Sequence, residues 1–299
     1  MFPFPVLSNP LSCDILKHIS IQYLPFLEER IMYYPDHHVH CDFSPDSPTP
    51  ARDQILRAIE LGMPCMCFTD HMDYDYPEEA NITFDLKPEI YLPAMRKLKE
   101  EFADRIDIRI GMEIGLETCY QDKILSYIDS APWDFVIGSI HLSDRKDPYL
   151  PSFFAGRTSY EAYRRYFEST LECLESFPPT YDIFGHLDYV FRCGDRCVTN
   201  AWKEWPDLID AILRQIIDQG LGLDVNTGGM KNGLPFQHPH DDILRRYREL
   251  GGELITLGSD AHRTIHLGDH FPEVGEKLRA MGFKHAAAYK NRKPEFYKL

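Results

Sequence analysis

The sequence predicts an α/β fold in which parallel strands form a closed or nearly closed barrel, with helices outside and a metal site at the C-terminal strand ends. Three observations predict it. Seven apolar, strand-like runs each stop at a short polar cluster. The clusters are His38-Val39-His40, Thr69-Asp70-His71, Gly111-Met112-Glu113, Gly138-Ser139-Ile140-His141, Phe184-Gly185-His186, Asp224-Val225-Asn226 and Ser259-Asp260-Ala261-His262. Each holds a His, Asp or Glu suited to binding metal. Helix-like segments separate the runs, and strands alternating with helices indicate a mostly parallel sheet. The length of 299 residues and the 43% apolar content suit a single barrel domain, a fold that commonly takes about 250 residues.

Residues 33–39 read as the first strand. Residues 49–61 follow as a helix with Ala51, Ile55, Leu56 and Ile59 on one face and Gly62 as its cap. Residues 65–68 form the second strand. Residues 88–102 form a helix with Pro88 in its first turn, where proline is tolerated. The third strand covers residues 106–114, a helix 122–128, and the fourth strand 135–140. A loop rich in charge, proline and aromatics runs to Arg157. The long helix over 158–177 takes its register from Tyr160, Tyr163, Phe167, Leu171 and Leu174. Then come a strand at 182–185, a helix at 201–219, a strand at 221–225, a helix at 241–250 and a seventh strand at 253–257. A last helix over 272–281 ends at Gly282, and residues 285–289 read as one more short edge strand. There is no internal repeat, low-complexity tract or dividing linker. Residues 1–32 stand apart as an N-terminal extension to a domain of residues 33–299. Residues 11–27 have helix-like periodicity interrupted by Pro25, and Met32, directly before the first strand, is an alternative start.

Composition narrows the function classes. No 18-residue apolar stretch exists, so no membrane span is expected. The first ten residues lack the basic region of a signal peptide. The eight cysteines (Cys13, Cys41, Cys65, Cys67, Cys119, Cys173, Cys193 and Cys197) are scattered. They read as free thiols of a cytoplasmic protein rather than a disulfide framework. Cys193 and Cys197 lack the second pair that would complete a zinc knuckle. The net charge of −15 argues against a nucleic-acid partner, which needs a basic face. That count omits bound metal, so it does not exclude a phosphate ligand at a metal site.

His38 and His40 lie two apart at a strand end, so alternation places both on one face. Asp260 and His262 repeat that spacing after the last strand. The two pairs become neighbours if the barrel closes. His37 then points the other way, into the core or a supporting position.

The full pattern resembles the polymerase and histidinol phosphatase (PHP) family of metal-dependent phosphoesterases. The resemblance rests on His38-Val39-His40 with Asp46 in a Ser44-Pro45-Asp46 turn, Thr69-Asp70-His71, Gly111-Met112-Glu113, Gly138-Ser139-Ile140-His141, Gly185-His186-Leu187-Asp188 and Gly258-Ser259-Asp260-Ala261-His262. It covers residue 33 to the C-terminus. It implies a distorted (β/α)7 barrel with up to three divalent metal ions at its mouth. By that resemblance His38, His40, Glu113 and Asp260 would hold one metal. Glu113 would bridge to a second, completed by His141 and His186, and Asp46, His71 and His262 would hold a third. Some members carry His where Asp46 stands. A carboxylate there shifts preference toward Mn²⁺ or Fe²⁺ beside Zn²⁺. No expected ligand position is empty.

Such a donor set suits a hydrolase. Divalent ions lower the pKa of water from 15.7 toward about 7, and pairs of them stabilise in-line displacement at phosphorus. No Gly-X-Ser-X-Gly stretch or phosphate-binding P-loop suggests a different nucleophile or cradle. Arg192 and Lys231 are the candidate catalytic donors to phosphate. They lie in the two stretches, residues 185–192 and 226–231, where the chain resembles the histidinol-phosphatases of the family. Arg263 is a third candidate. His238 and His240 flank Pro239 before a helix and read as loop or cap residues. His266 and His270 match no ligand position. Tyr160, Tyr163, Tyr166 and Phe167 read as helix packing.

The resemblance is closest to the stand-alone histidinol-phosphatase branch. It implies a phosphomonoesterase that hydrolyses L-histidinol phosphate, a small-molecule phosphate ester, in histidine biosynthesis. The ammonium and imidazole of that substrate would suit carboxylates near the mouth, with Asp73, Asp75 and Glu117 as candidates by position. The alternatives are another phosphoesterase on the same scaffold, such as a nucleotide or sugar phosphatase or a nuclease, and a metal-stabilised module without turnover. The acidic charge argues against a nuclease and the complete ligand set against an inert module.

Overall fold

A chain whose strands alternate with helices must lay those strands parallel, and that is the arrangement found. The computed structural model describes residues 34–299. The extension, its periodic segment and the alternative start at Met32 lie outside the described residues. The strands follow one another around the sheet in chain order, every pair parallel. They are β1 (Asp36–Val39), β2 (Cys65–Phe68), β3 (His71–Met72), β4 (Asp107–Gly115), β5 (Phe135–Ser139), β6 (Ile183–Phe184), β7 (Gly222–Asn226) and β8 (Ile255–Gly258). β2 and β3 are one strand position interrupted at Thr69-Asp70. β2 pairs with the first half of β4 and β3 with the second, so His71 stands opposite Glu113. The ring closes between its ends through a Val39–Ala261 bridge. There His40 N donates to Ala261 O at 3.0 Å and Asp260 N to His38 O at 2.7 Å. The seven-position barrel expected from the sequence is thus nearly closed.

The helices cover the outside. Ser159–Ser176 begins with a capping box in which Thr158 Oγ1 accepts from Glu161 N and Glu161 accepts from Thr158 N. It buries Tyr163, Tyr166, Phe167 and Leu174, while Tyr160 remains 41% exposed. Truncating a buried aromatic such as Phe167 would cost about 3–5 kcal/mol.

One expectation needs correction and another a refinement. The single helix expected over residues 201–219 is two helices, Ala201–Glu204 and Pro206–Asp218. Pro206 has no N–H to continue the first and instead starts the second. The short edge strand expected at 285–289 is present, but it belongs to a separate two-stranded sheet rather than to the barrel. It is β9 (His285–Lys290), which pairs antiparallel with β10 (Lys293–Lys298), a strand the pattern did not suggest. This hairpin packs against the beginnings of β4, β5 and β6. Tyr289 N donates to His37 Nε2 at 2.9 Å, and Arg109 Nη1 donates to Tyr289 O at 3.1 Å. Ala287 and Tyr289 join Cys67, Phe135, Ile137 and Ile183 in a small apolar cluster. His37 is therefore a core residue.

Among the described residues no helix is long and apolar enough to cross a membrane. The seven described cysteines are free, and five of them are buried.

Candidate metal centre

Parallel strands in register bring side chains of one orientation to one end, and here the end of β4 supplies the centre of the site. Glu113 is fully buried. Five imidazoles surround its carboxylate: His186 Nε2 at 2.9 Å, His38 Nε2 at 3.0 Å, His141 Nε2 at 3.1 Å, His71 Nδ1 at 3.2 Å and His40 Nε2 at 3.4 Å. Ser139 Oγ also donates to it, at 2.6 Å.

The tautomers of these rings follow from their outer partners. Ser44 Oγ has one proton and gives it to Asp70 at 2.8 Å. Its 3.2 Å contact with His40 Nδ1 must then be donated by the ring. That leaves His40 Nε2 as a bare lone pair. It is buried without a hydrogen-bond partner, 3.4 Å from Glu113 and 3.6 Å from Asp260. His38 Nδ1 donates to Asp224 at 2.7 Å and His141 Nδ1 to Asp73 at 2.8 Å. Their Nε2 atoms also face Glu113. Lone pairs aimed at a carboxylate repel it unless positive charge lies between. A second proton or a divalent cation must supply that charge, and the carboxylate–histidine pairing is the usual support for a metal-binding ring.

The ionisation of the groups agrees. Burial opposes charge on His38 and His141, but Glu113 with Asp224, and Asp73 with Glu113, outweigh it and hold both pKa values well above the ordinary range. Burial and the neighbouring imidazoles His71, His262 and His38 push His40 well below it. Burial also lowers His186, to about 4. Glu113 is held well below the usual carboxylate range because its imidazole ring outweighs burial.

Asp46 and His262 complete the set at the rim, 3.0 Å apart, with Asp46 3.7 Å from His71 Nε2. His40 stacks between His71 and His262, with ring centroids at 4.2 and 4.3 Å. Asp260 adopts a left-handed φ of 54°, a strained conformation for a residue with a side chain. It is held there by its own N–H on His38 O and by Lys231 donating to its carbonyl. Four groups have donor atoms within 4.8 Å of one another: His38, His40 and Glu113; His71, Glu113 and His141; His38, His186 and Asp260; and His40, His71 and His262. The groups overlap. Proximity therefore brings together the positions expected from the sequence without dividing them among individual ions.

Above them opens a cavity of about 560 Å³. Arg192 and Lys231 both line it, as do Arg263 and His266. Arg192 Nη2 donates to Asp260 Oδ2 at 2.9 Å, and Lys231 Nζ lies 3.7 Å from Asp260 Oδ1. Burial opposes ionisation of Asp260, but Lys231 and Arg192 hold it well below the usual range.

The structure separates other expectations. Asp73, Asp75 and Glu117 do not line the cavity. Asp73 is committed to His141, and Asp75 accepts from Tyr120 at the surface. Beyond the candidate ligands Asp46 and Asp260, the carboxylate on the cavity wall is Asp147, which accepts from Tyr76 Oη at 2.9 Å. Asp224, in the cluster that supplied no expected ligand, holds His38. His240 caps its helix as expected, accepting from Asp242 N, and His238 lies in the loop before it, bridged to Asn226. It is fully buried and bonded to Asp188. His270 is half-buried beside Asp269 and Glu273.

Comparison with known proteins agrees with this geometry. The histidinol-phosphatase of Lactococcus lactis subsp. lactis is 35% identical over 231 residues, which span 76% of this chain and 83% of that protein. A probable histidinol-phosphatase of Deinococcus radiodurans is 30% identical over 260 residues, 83% of this chain and 93% of that protein. The crystal structure of Lactococcus lactis histidinol phosphate phosphatase complexed with zinc, L-histidinol and phosphate matches with a TM-score of 0.81 at 32% identity. The match covers 88% of this chain and 98% of that one. The PHP domain model matches residues 36–228, the stretch that carries all nine candidate ligands except Asp260 and His262. On that match and the relatives' coverage, the chain belongs to the PHP domain family.

Proposed function

We propose that this chain is a metal-dependent phosphomonoesterase that hydrolyses L-histidinol phosphate to L-histidinol and phosphate, a step of histidine biosynthesis. The observation that carries the reading is the set of five imidazoles packed on one buried carboxylate beneath a cavity lined by Arg192 and Lys231. The substrate follows the Lactococcus lactis relative, which was crystallised with L-histidinol and phosphate.

His38, His40, Asp46, His71, Glu113, His141, His186, Asp260 and His262 would hold up to three divalent ions. The orphaned His40 nitrogen and the outward-tied protons of His38 and His141 fit them to that task. Zinc is the first choice, as the ion of the relative's complex, with manganese and iron as the further arms of the test. Bound there, such ions would make water nucleophilic near neutral pH and neutralise charge on the phosphoryl oxygens. Arg192 would present its planar guanidinium to phosphate oxygens, a geometry suited to paired contacts. Lys231 would add a second donor on the same side. Asp147, steadied by Tyr76 and by Tyr149 N at 2.8 Å, would receive a cationic group at the other end of the substrate.

Phosphate release from a panel of esters, with zinc, manganese or iron supplied, tests the proposal. Histidinol phosphate should have the highest kcat/KM, and Arg192→Ala should lower it strongly. A panel on which histidinol phosphate is not among the preferred esters refutes the substrate.

A further inference from the structure

Arg192 does not approach the cavity as a free side chain. It follows the turn after β6, in the same loop as His186. Its Nε donates to His238 Nε2 at 3.0 Å, while Nη2 donates to Asp260 at 2.9 Å. Arginine has donors only, so His238 Nε2 must be the acceptor and its proton must sit on Nδ1. That proton is given to Asp188 Oδ1 at 2.5 Å. The other Asp188 oxygen accepts from His240 N at 2.8 Å. Asp188 and His238 are fully buried. His238 is also held through its backbone, which exchanges two hydrogen bonds of 2.7 Å with Asn226.

Space around this chain of bonds is reserved by glycine. A Cβ at Gly228 would lie 2.7 Å from Arg192 Nη2 and 2.8 Å from Asp260 Oδ2. A Cβ at Gly229 would lie 3.0 Å from His238 Nε2. The face of Tyr189 flanks the guanidinium on another side, its ring centroid 5.1 Å from Cζ.

We propose that His238, oriented by Asp188, is a positioning residue that aims Arg192 at the phosphate end of the cavity. The proposal rests on the reading of Arg192 as a phosphate donor. Asp188 selects the tautomer, the tautomer supplies the acceptor, and the acceptor fixes the plane of the guanidinium before phosphate arrives. The ordering of a long, rotamer-rich side chain is thereby completed in folding rather than on binding. Asp188 lies two residues from His186, so the loop couples the phosphate donor to the strand end that carries a candidate metal ligand.

The test uses the full chain and inorganic phosphate as the probe, measured as an inhibitor of the hydrolysis of histidinol phosphate and of p-nitrophenyl phosphate. His238→Ala should raise the phosphate inhibition constant and the KM about tenfold, the scale of one lost hydrogen bond to a charged group, with kcat reduced less and metal content unchanged. His238→Gln should recover most of the loss, because an amide can give an N–H to Asp188 and present its oxygen to Arg192, as the two imidazole nitrogens do. Asp188→Asn should resemble His238→Ala, since its amide can force the other tautomer and leave two N–H groups facing each other. Inhibition by phosphate within twofold of wild type in a folded His238→Ala protein overturns the proposal. So do equal losses in His238→Gln and Asp188→Asn, a comparison that decides the matter if the alanine variant does not fold. If histidinol phosphate proves a poor substrate, the substrate reading fails. Phosphate inhibition of aryl phosphate hydrolysis still reports on the relay.

Discussion

Replacing Asp224 by Asn should weaken metal binding without touching any candidate ligand. Asp224 and His38 are both fully buried, and the Asp224 carboxylate accepts from His38 Nδ1 at 2.7 Å. The same oxygen accepts from Asn226 Nδ2 at 2.9 Å, and the other lies 3.4 Å from Thr256 Oγ1. An Asn at this position has two orientations. With its NH₂ toward His38 it favours the tautomer whose proton sits on Nε2, the atom that faces Glu113 at 3.0 Å. With its oxygen toward His38 it keeps the tautomer but loses the charge, and a neutral bond is roughly half as strong as a charge-assisted one. Either way the ring binds a cation less well. Removal of such outer partners typically costs 10–100-fold in metal affinity, about 1.4–2.7 kcal/mol. The assay is competition with a chromophoric chelator, followed by phosphate release at saturating metal. An Asp224→Asn protein with wild-type metal affinity would refute the argument that this carboxylate tunes His38.

Other perturbations probe different parts of the molecule. Chelation should abolish phosphate release and lower Tm. A ligand at 1,000 times its Kd contributes about 4 kcal/mol, which corresponds to roughly 10 °C for a domain of this size, and adding zinc back should restore both. Glu117→Gln tests a carboxylate that burial pushes up from the usual glutamate range to about 7. A raised folded pKa contributes stability below the unfolded value and loses it as pH rises through the folded one. Glu117→Gln should therefore match wild type near pH 4 and exceed it above pH 7, by on the order of 1 kcal/mol after discounting for partial exposure; chemical denaturation at both pH values reads the difference. Arg109→Ala should cost about 2 kcal/mol in urea denaturation with kcat unchanged. It removes donors to Tyr289 O, Asp107 and Glu295, but both acidic partners retain solvent and can rehydrate.

The barrel was legible because each strand is short, apolar and stopped by a polar cluster, and parallel pairing in chain order then brings the stops to one end. Features that depend on one residue's local chemistry were less legible. The break at Pro206 was available from that residue alone, since proline cannot continue a helix ladder, yet the apolar period runs through it. β10 was hidden for a different reason. Its turn is Asn291-Arg292, both with positive φ (49° and 63°), where hairpin signals usually show Asn-Gly. Its residues are mostly exposed, so no apolar alternation marks it as a strand.

The metal centre divides along the same line. Its candidate ligands are strand-end residues, and the i, i+2 spacing of His38 and His40 declares their common face from a few positions of sequence. Their supports are set by closure of the ring. Asp224 stands 186 residues from His38 and Asp73 stands 68 from His141, and His238 reaches Asp188 across 50. No local pattern distinguishes a carboxylate that will meet an imidazole from one that will meet solvent. Asp73 and Asp75 show this, since they have the same side chain two residues apart. One is buried on His141 and the other accepts from Tyr120 at the surface. Asp224 sits in a polar cluster like those of the ligands because it ends a strand of the same barrel, so its cluster position announces which end of the barrel it occupies. Whether such a residue would bind an ion or a ring placed to bind one is decided by depth. Asp224 bonds the outer nitrogen of His38, and that ring stands between it and Glu113. A strand-end pattern therefore locates a metal centre more reliably than it assigns the residues within it.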